Sequence, residues 1–386
     1  LFFCAFIGVF LNYTEAEGAT AKEKPLAVLY SASDFQNSEG HIQGKEELEK
    51  ITGQIYDSGV KTLSEALICG DYYYDDEFSA DESTKGIESV YSVLNDQWGL
   101  EHDEIFFVQG NHDPADTLGL DATGGADRNT YSVYQINHDD YMWSNKAGVD
   151  TETQILATAE NLRGWLDAKI VSGDSKPVFV ITHLPLHHSY RYDNPYSEYI
   201  FDVLNEAGEK GLNIVYLFGH NHSREYDNYL GGGAIYLTKG DEMLIPDVQG
   251  ENVADYKSEV LNFTYMNAGY IGEAEDGILS SCIFEIFEDR IEVKRYTKDG
   301  IYDLKVSGVS SENDLGWEEN LMVKQSPQSI DLNHGIVSWG ESAENEKIFL
   351  DINEAIDLTI QLHNMQAYDV VWECSNTEIA EISIDK

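Results

Sequence analysis

The chain has 386 residues, with 24 Lys and Arg against 70 Asp and Glu, a formal charge of −46. With 42% hydrophobic and 12% aromatic residues it reads as globular and not as a disordered acidic tail, and its length suggests two or three domains with ample core. So negative a chain argues against gripping nucleic acid or an anionic membrane through a basic face. It leaves phosphate chemistry open, because a bound metal reverses the field locally.

The chain begins with an apolar run, Leu1–Leu11, too short to span a bilayer. More polar residues, Asn12–Glu17, lead to Ala19-Thr20-Ala21, and residues 1–21 read as the remnant of a secretory signal peptide. A membrane anchor or a buried strand is the alternative. Cys4 lies within this run, while Cys69, Cys282 and Cys374 stand far apart and make neither a disulfide framework nor a zinc motif. Short β-forming runs then follow at Leu26–Tyr30, Ala66–Cys69, Ile105–Val108, Val178–Ile181 and Ile214–Phe218. Helical periods lie between them, one marked by Ile87, Val90, Tyr91 and Leu94, another by Ile155, Ala159, Leu162 and Leu166. Such alternation predicts an α/β domain over residues 22–300. Ser280–Tyr296 reads as a hairpin added at a sheet edge. Residues 301–345, rich in Ser, Glu, Asn and Gly, read as linker with short strands. Residues 346–386 are all-β in pattern, with runs at Ile348–Leu350, Leu358–Leu362, Val370–Trp372 and Ile379–Ile384.

The residues that carry chemistry fall at the carboxyl ends of the five strands. In order they are Ser33-Asp34-Phe35-Gln36, Gly70-Asp71, Gly110-Asn111-His112-Asp113, Thr182-His183-Leu184-Pro185 and Gly219-His220-Asn221-His222. In an open α/β sheet the ligand crevice lies outside those ends, so all five converge on one rim. Carboxylates and imidazoles suit Mn, Fe or Zn, and one carboxylate can bridge two ions that clamp a phosphoryl group and supply a hydroxide nucleophile. The glycines before Asp71, Asn111 and His220 allow sharp turns there. Each fragment alone is weak; the five in order, each after its own strand, are specific.

This order resembles the calcineurin-like metallophosphoesterase superfamily over about residues 26–300. The resemblance implies a four-layer α/β/β/α sandwich with a dinuclear divalent-metal centre at its edge. It assigns one ion to Asp34, Gln36, Asp71 and His222 and the other to Asp71, Asn111, His183 and His220, with Asp71 bridging. His112 would face the scissile phosphate and assist the leaving group, with Asp113 as its orienter or as a cap on the following turn. Gln36 departs from the family pattern, which has His there. Its amide oxygen is a weaker donor, so it either ligates or bonds a metal-bound water.

Further candidates surround the rim. His187 and His188 read as phosphate contacts or loop residues. Tyr72, Tyr73 and Tyr74, with Tyr190, Tyr192, Tyr196 and Tyr199, read as stacking surfaces for substrate or as packing. Asn267-Ala268-Gly269 resembles the late loop that closes the superfamily's site. Asp369–Lys386 resembles part of a bacterial immunoglobulin-like repeat of the second group, with Trp372 inward and Ser375-Asn376 in a turn.

The function expected is that of an exported, dinuclear metal-dependent phosphoesterase acting on a small phosphoester. A diester is favoured over a monoester because the insertions 114–150 and 223–262 could build a larger pocket. Metal-bridging hydroxide would be the nucleophile. The location expected is extracellular or cell-surface, in a bacterium, with attachment through C-terminal modules. The alternative is a catalytically inactive surface scaffold or adhesion protein with the same fold.

Overall fold

The computed structural model describes residues 23–36, 43–73, 79–141, 150–187, 196–222, 236–248, 256–272, 279–302, 304–307, 321–324, 328–339 and 360–363. In chain order the elements are β1 (Ala27–Ala32), α1 (Gln43–Asp57), β2 (Glu65–Ile68), α2 (Ala80–Trp98), β3 (Ile105–Phe107), β4 (Gly124–Asp127), β5 (Ser132–Ile136), α3 (His138–Tyr141), α4 (Thr151–Ser172), β6 (Val178–Thr182), α5 (Ser197–Glu209) and β7 (Ile214–Phe218). Strands follow: β8 (Tyr236–Leu237), β9 (Glu242–Pro246), β10 (Tyr256–Val260), β11 (Thr264–Asn267), β12 (Gly269–Tyr270), β13 (Ser280–Ile286), β14 (Arg290–Thr297), β15 (Gly300–Tyr302), β16 (Leu304–Ser307), β17 (Leu321–Lys324), β18 (Gln328–Asp331), β19 (Ile336–Trp339) and β20 (Ile360–His363).

Two sheets dominate. The first runs β15-β14-β13-β1-β2-β3, with β12 on β13 and β18 on β14; the second runs β4-β5-β6-β7-β11-β8. Strands β1, β2 and β3 are parallel, as are β5, β6, β7 and β11. Strand alternation splits the core of the first sheet. Tyr30, Ala66, Ile68 and Phe107 face Leu48, Ile51 and Ile55 of α1 and Ile87, Val90 and Leu94 of α2. Leu29, Leu67 and Phe106 join the core shared with the second sheet. Phe179 of β6 meets Phe284 of β13 edge-on, ring centroids 5.3 Å apart, across the interface between sheets. On the far side Trp165 of α4 packs on Tyr134 of β5 at 5.1 Å. Every residue of β5, β6 and β7 is buried, as expected of strands covered on both faces. The layers therefore run α1/α2, first sheet, second sheet, α4/α5, a mixed α/β fold.

Local chemistry sets the helix ends. Ser79 Oγ accepts from Glu82 N and Asp150 Oδ1 from Thr153 N, while Gly99 and Gly173 end α2 and α4 in left-handed conformation. The Ser280–Tyr296 hairpin is β13–β14, and β13 lies beside β1. Within residues 114–150, read as a pocket-building insertion, lie β4 and β5. Ser132–Ile136 is in register with β6 inside the second sheet. The stretch read as linker holds β18, which pairs with β14, and Ile336, which is buried in the main core. Strand β20 pairs with β19 and overlaps the run at Leu358–Leu362. The other β-forming runs read in the immunoglobulin-like stretch, with Trp372, Ser375 and Asn376, lie outside the described residues, as do residues 1–21. Among the described residues no helix is long and apolar enough to cross a membrane.

Candidate metal centre

Backbone conformation singles out the rim. Among the described residues, the non-glycine residues with positive φ are Asp34 (55°), Gln36 (48°), Asp71 (58°), His220 (65°) and His222 (53°). All five are ligand candidates. A left-handed backbone costs free energy for residues with a Cβ and persists only where the surroundings impose it, most often at functional sites. Here the loops hold one another: Asp34 N donates to Gly70 O at 2.9 Å, and Phe35 N and Gln36 N donate to Asp71 O. Close approach also explains two glycines. A Cβ on Gly110 would lie 2.1 Å from Asp71 Oδ1, and one on Gly219 would lie 1.8 Å from Ser33 Oγ.

The side chains converge. Ligand atoms of Asp71, His183 and His220 all lie within 4.8 Å of one another. Asn111 Oδ1 sits 2.9 Å from His183 Nε2 and 2.8 Å from His220 Nδ1. His183 Nε2 also lies 3.2 Å from Asp71 Oδ2 and 3.8 Å from Asp34 Oδ1, so a single nitrogen faces three oxygens. The other ring nitrogen, Nδ1, donates to Cys69 O at 2.6 Å, which turns Nε2 toward the centre. Next door, His222 Nε2 is 3.4 Å from Asp34 Oδ1 and 2.8 Å from Gln36 Nε2. Asp34 Oδ2 accepts from His220 N, while the buried Oδ1 accepts no hydrogen bond.

Charge balance constrains what this cluster can bind. Asp34, Asp71 and Asp113 are all essentially buried. Burial opposes ionisation of Asp71, but the charges of His183 and His112 and their hydrogen bonds prevail and hold its carboxyl well below the usual range. Burial likewise opposes protonation of His183, yet Asp71 and Asp34 lift it to about 9. Buried carboxylates, an amide oxygen and imidazole nitrogens aimed at one another need a cation between them, either a proton on His183 or a divalent metal. The donor set, oxygen and imidazole nitrogen with one carboxylate central to both groups, fits Mn, Fe or Zn.

The remaining candidates separate clearly. His112 sits at the edge of the cluster, its side chain 24% exposed, with Nε2 4.0 Å from Asp71 Oδ2 and its N–H donating to Asp71 Oδ1 at 2.9 Å. Asp113, expected as its orienter or as a cap on the following turn, accepts from the backbone N–H groups of Gly110 and Asp71 at 2.8 Å and of Tyr72 at 3.1 Å. It is a loop clamp. Burial, then the charge of Asp71, pushes it up to about 7 against those donors. Tyr72, expected at the substrate, is fully buried. It donates to Val108 O at 2.9 Å and stacks on Phe35. His187, expected at the phosphate, is also buried, between Phe218 and Tyr265. Tyr73 is buried, and Tyr196 and Tyr199 stack on each other against the core. His188, Tyr74, Tyr190 and Tyr192 lie outside the described residues. Sequence reasoning missed Tyr270, whose ring stacks on His222 at 4.5 Å and 8°. Its only signal was its place after Asn267-Ala268-Gly269.

Residues 33–224 match the family model for calcineurin-like phosphoesterases. The matched stretch contains all five rim motifs and supports a calcineurin-like metallophosphoesterase domain here. Among solved structures, the domain is similar to a dimetal phosphatase from Danio rerio, at 12% identity over 73% of this chain and 99% of that one, with TM-score 0.47. A predicted phosphoesterase from Streptococcus pneumoniae is 11% identical over 80% of this chain and 97% of that one, TM-score 0.31. A 5′-nucleotidase from Candida albicans is 10% identical over 80% of this chain and 52% of that one, TM-score 0.31. No curated protein matches the sequence.

Proposed function

We propose that the phosphoesterase domain hydrolyses a small phosphoester at a centre of two divalent ions, one held by Asp34, Gln36, Asp71 and His222 and the other by Asp71, Asn111, His183 and His220. The observation that carries this reading is the convergence of Asp71, His183 and His220 within 4.8 Å, beside a second group in which His222 Nε2 faces Asp34 Oδ1 at 3.4 Å. When bound, such ions supply Lewis-acid stabilisation of the phosphoryl oxygens and a nucleophilic hydroxide near neutral pH. The chain supplies the rest. His183 is fixed by Cys69 O, and the Asp71 loop by Asp113. His112, partly exposed at the edge of the group, is tethered through its N–H to Asp71 and would protonate the leaving oxygen.

The substrate proposed is a small phosphoester, with a diester favoured only by the length of the insertions 114–150 and 223–262. Export and surface attachment rest on the apolar start with Ala19-Thr20-Ala21 and on the immunoglobulin-like pattern after residue 346. The test is hydrolysis of p-nitrophenyl phosphate and bis-p-nitrophenyl phosphate with Mn, Fe, Zn or a chelator. Metal-dependent turnover of either ester supports the proposal, and no turnover of either in any metal overturns it for generic esters. His112→Asn adds a mechanistic arm. Loss of the acid should cost about 10²–10⁴-fold on an alkyl phosphate and far less on the good p-nitrophenolate leaving group.

A further inference from the structure

His187 belongs to neither ligand group and is 2% exposed, so it does not meet substrate. Its ring is nonetheless bonded at both ends. Nδ1 lies 2.6 Å from Tyr265 Oη, and Asn221 Nδ2 donates to Nε2 at 3.3 Å. Tyr265 Oη also accepts from Leu186 N at 2.9 Å, and Tyr265 stacks on Phe218, centroids 4.6 Å apart. His187 is thereby anchored to β7 and β11 at the carboxyl end of the second sheet.

What it holds is the middle residue of Gly219-His220-Asn221-His222. Asn221 is fully buried and lies between two histidines in left-handed backbone, His220 at 65° and His222 at 53°. Asn221 N donates to Gly219 O at 2.7 Å, which closes a three-residue turn around His220, the rarer and more strained turn of that size because its φ is positive. Two strained residues in three need an external restraint. The side chain of Asn221 is buried in the core, and His187 is a partner there.

We infer that His187 is a positioning residue for the metal centre: through Asn221 it fixes the loop that aims His220 at one ion and His222 at the other. This inference rests on the phosphoesterase reading. It deepens that reading by reassigning His187 from substrate contact to support of the loop. Partners behind metal ligands typically set affinity by about 10- to 100-fold.

The test measures Mn²⁺ affinity by titration calorimetry on the full chain, with thermal unfolding in parallel. His187→Phe keeps the aromatic contacts with Phe218 and Tyr265 but cannot accept from Asn221. His187→Gln keeps an acceptor at the position of Nε2. Expected results are Mn²⁺ binding about 10- to 100-fold weaker in folded His187→Phe and recovery in His187→Gln. Asn221→Ala should show the same loss, and the double variant no further loss. A folded His187→Phe that binds Mn²⁺ as tightly as wild type overturns the inference. If His187→Phe does not fold, Asn221→Ala decides it by the same criterion. Wild type that binds neither Mn²⁺ nor Zn²⁺ would overturn the phosphoesterase reading itself, and this assignment with it.

Discussion

Single atoms set the tolerances of this rim. A Cβ on Gly219 would lie 1.8 Å from Ser33 Oγ and 2.7 Å from Asp34 Oδ2, and Ser33 Oγ in turn holds Cys69 O at 2.7 Å, the carbonyl that orients His183. Gly219→Ala should therefore displace ligands of both groups by a fraction of an ångström to an ångström. About a 100-fold loss of turnover follows, given how steeply rate depends on placement. Steady-state hydrolysis with saturating Mn²⁺ checks this, and an unchanged rate would show that the loop yields. Tyr72 makes the opposite case. Its hydroxyl bonds Val108 O inside the core, so Tyr72→Phe should lower stability by about 1 kcal/mol in urea unfolding and leave turnover within about twofold. A tenfold loss of turnover at unchanged stability would return Tyr72 to the substrate. Residue type and strand-end position made the ligand candidates legible in the sequence. The direction in which a side chain points was not legible. Asp113 follows His112 directly, yet the turn sends its carboxylate back to three N–H groups, and His187 lies close after His183 but turns into the core.

At the scale of elements, the five strands that lead into the motifs were legible because each is a short, almost wholly apolar run with turn residues after it. Strand β5 was not. Its sequence, SVYQI, carries Ser132 and Gln135, and Ser132 is buried only because Asp127 and Lys169 bond it. Long-range pairing of that kind leaves no local signal. The two-residue strands β8 and β12 are too short to show a period. The segment after Thr297 was the other surprise. Strand β18 covers the edge of β14, Asn333 bonds Asn213 and Gly211, and Ile336 is fully buried. Strand β18, Asn333 and Ile336 therefore pack against the two main sheets. Ile336→Ala should cost about 2–5 kcal/mol, the usual range for a buried Ile, read from the urea midpoint by Trp fluorescence. A shift no larger than an exposed substitution gives would mean that the segment only rests on the surface.

For the molecule as a whole, the charge of −46 and the proposed cationic centre act at different ranges. Two divalent ions would add about four positive charges at the rim, while the rest of the surface repels anions. Between about 10 and 200 mM NaCl the Debye length shrinks from about 30 Å to below 10 Å, which screens the long-range repulsion more than the contact attraction. The kcat/KM for a small anionic phosphoester should therefore rise with salt over that range. A steady fall would mean that long-range attraction brings substrate in, against the sign of the net charge. The central claim is that Asp71, with the imidazoles and carboxylates around it, holds catalytic metal. Its most direct test is elemental analysis of wild type and Asp71→Asn after exposure to Mn²⁺ and removal of excess ion, with hydrolysis measured on the same samples. About two ions per wild-type chain are expected, with metal and turnover lost together in Asp71→Asn. Wild type without metal, or an Asp71→Asn protein that keeps both its metal and its turnover, would contradict it.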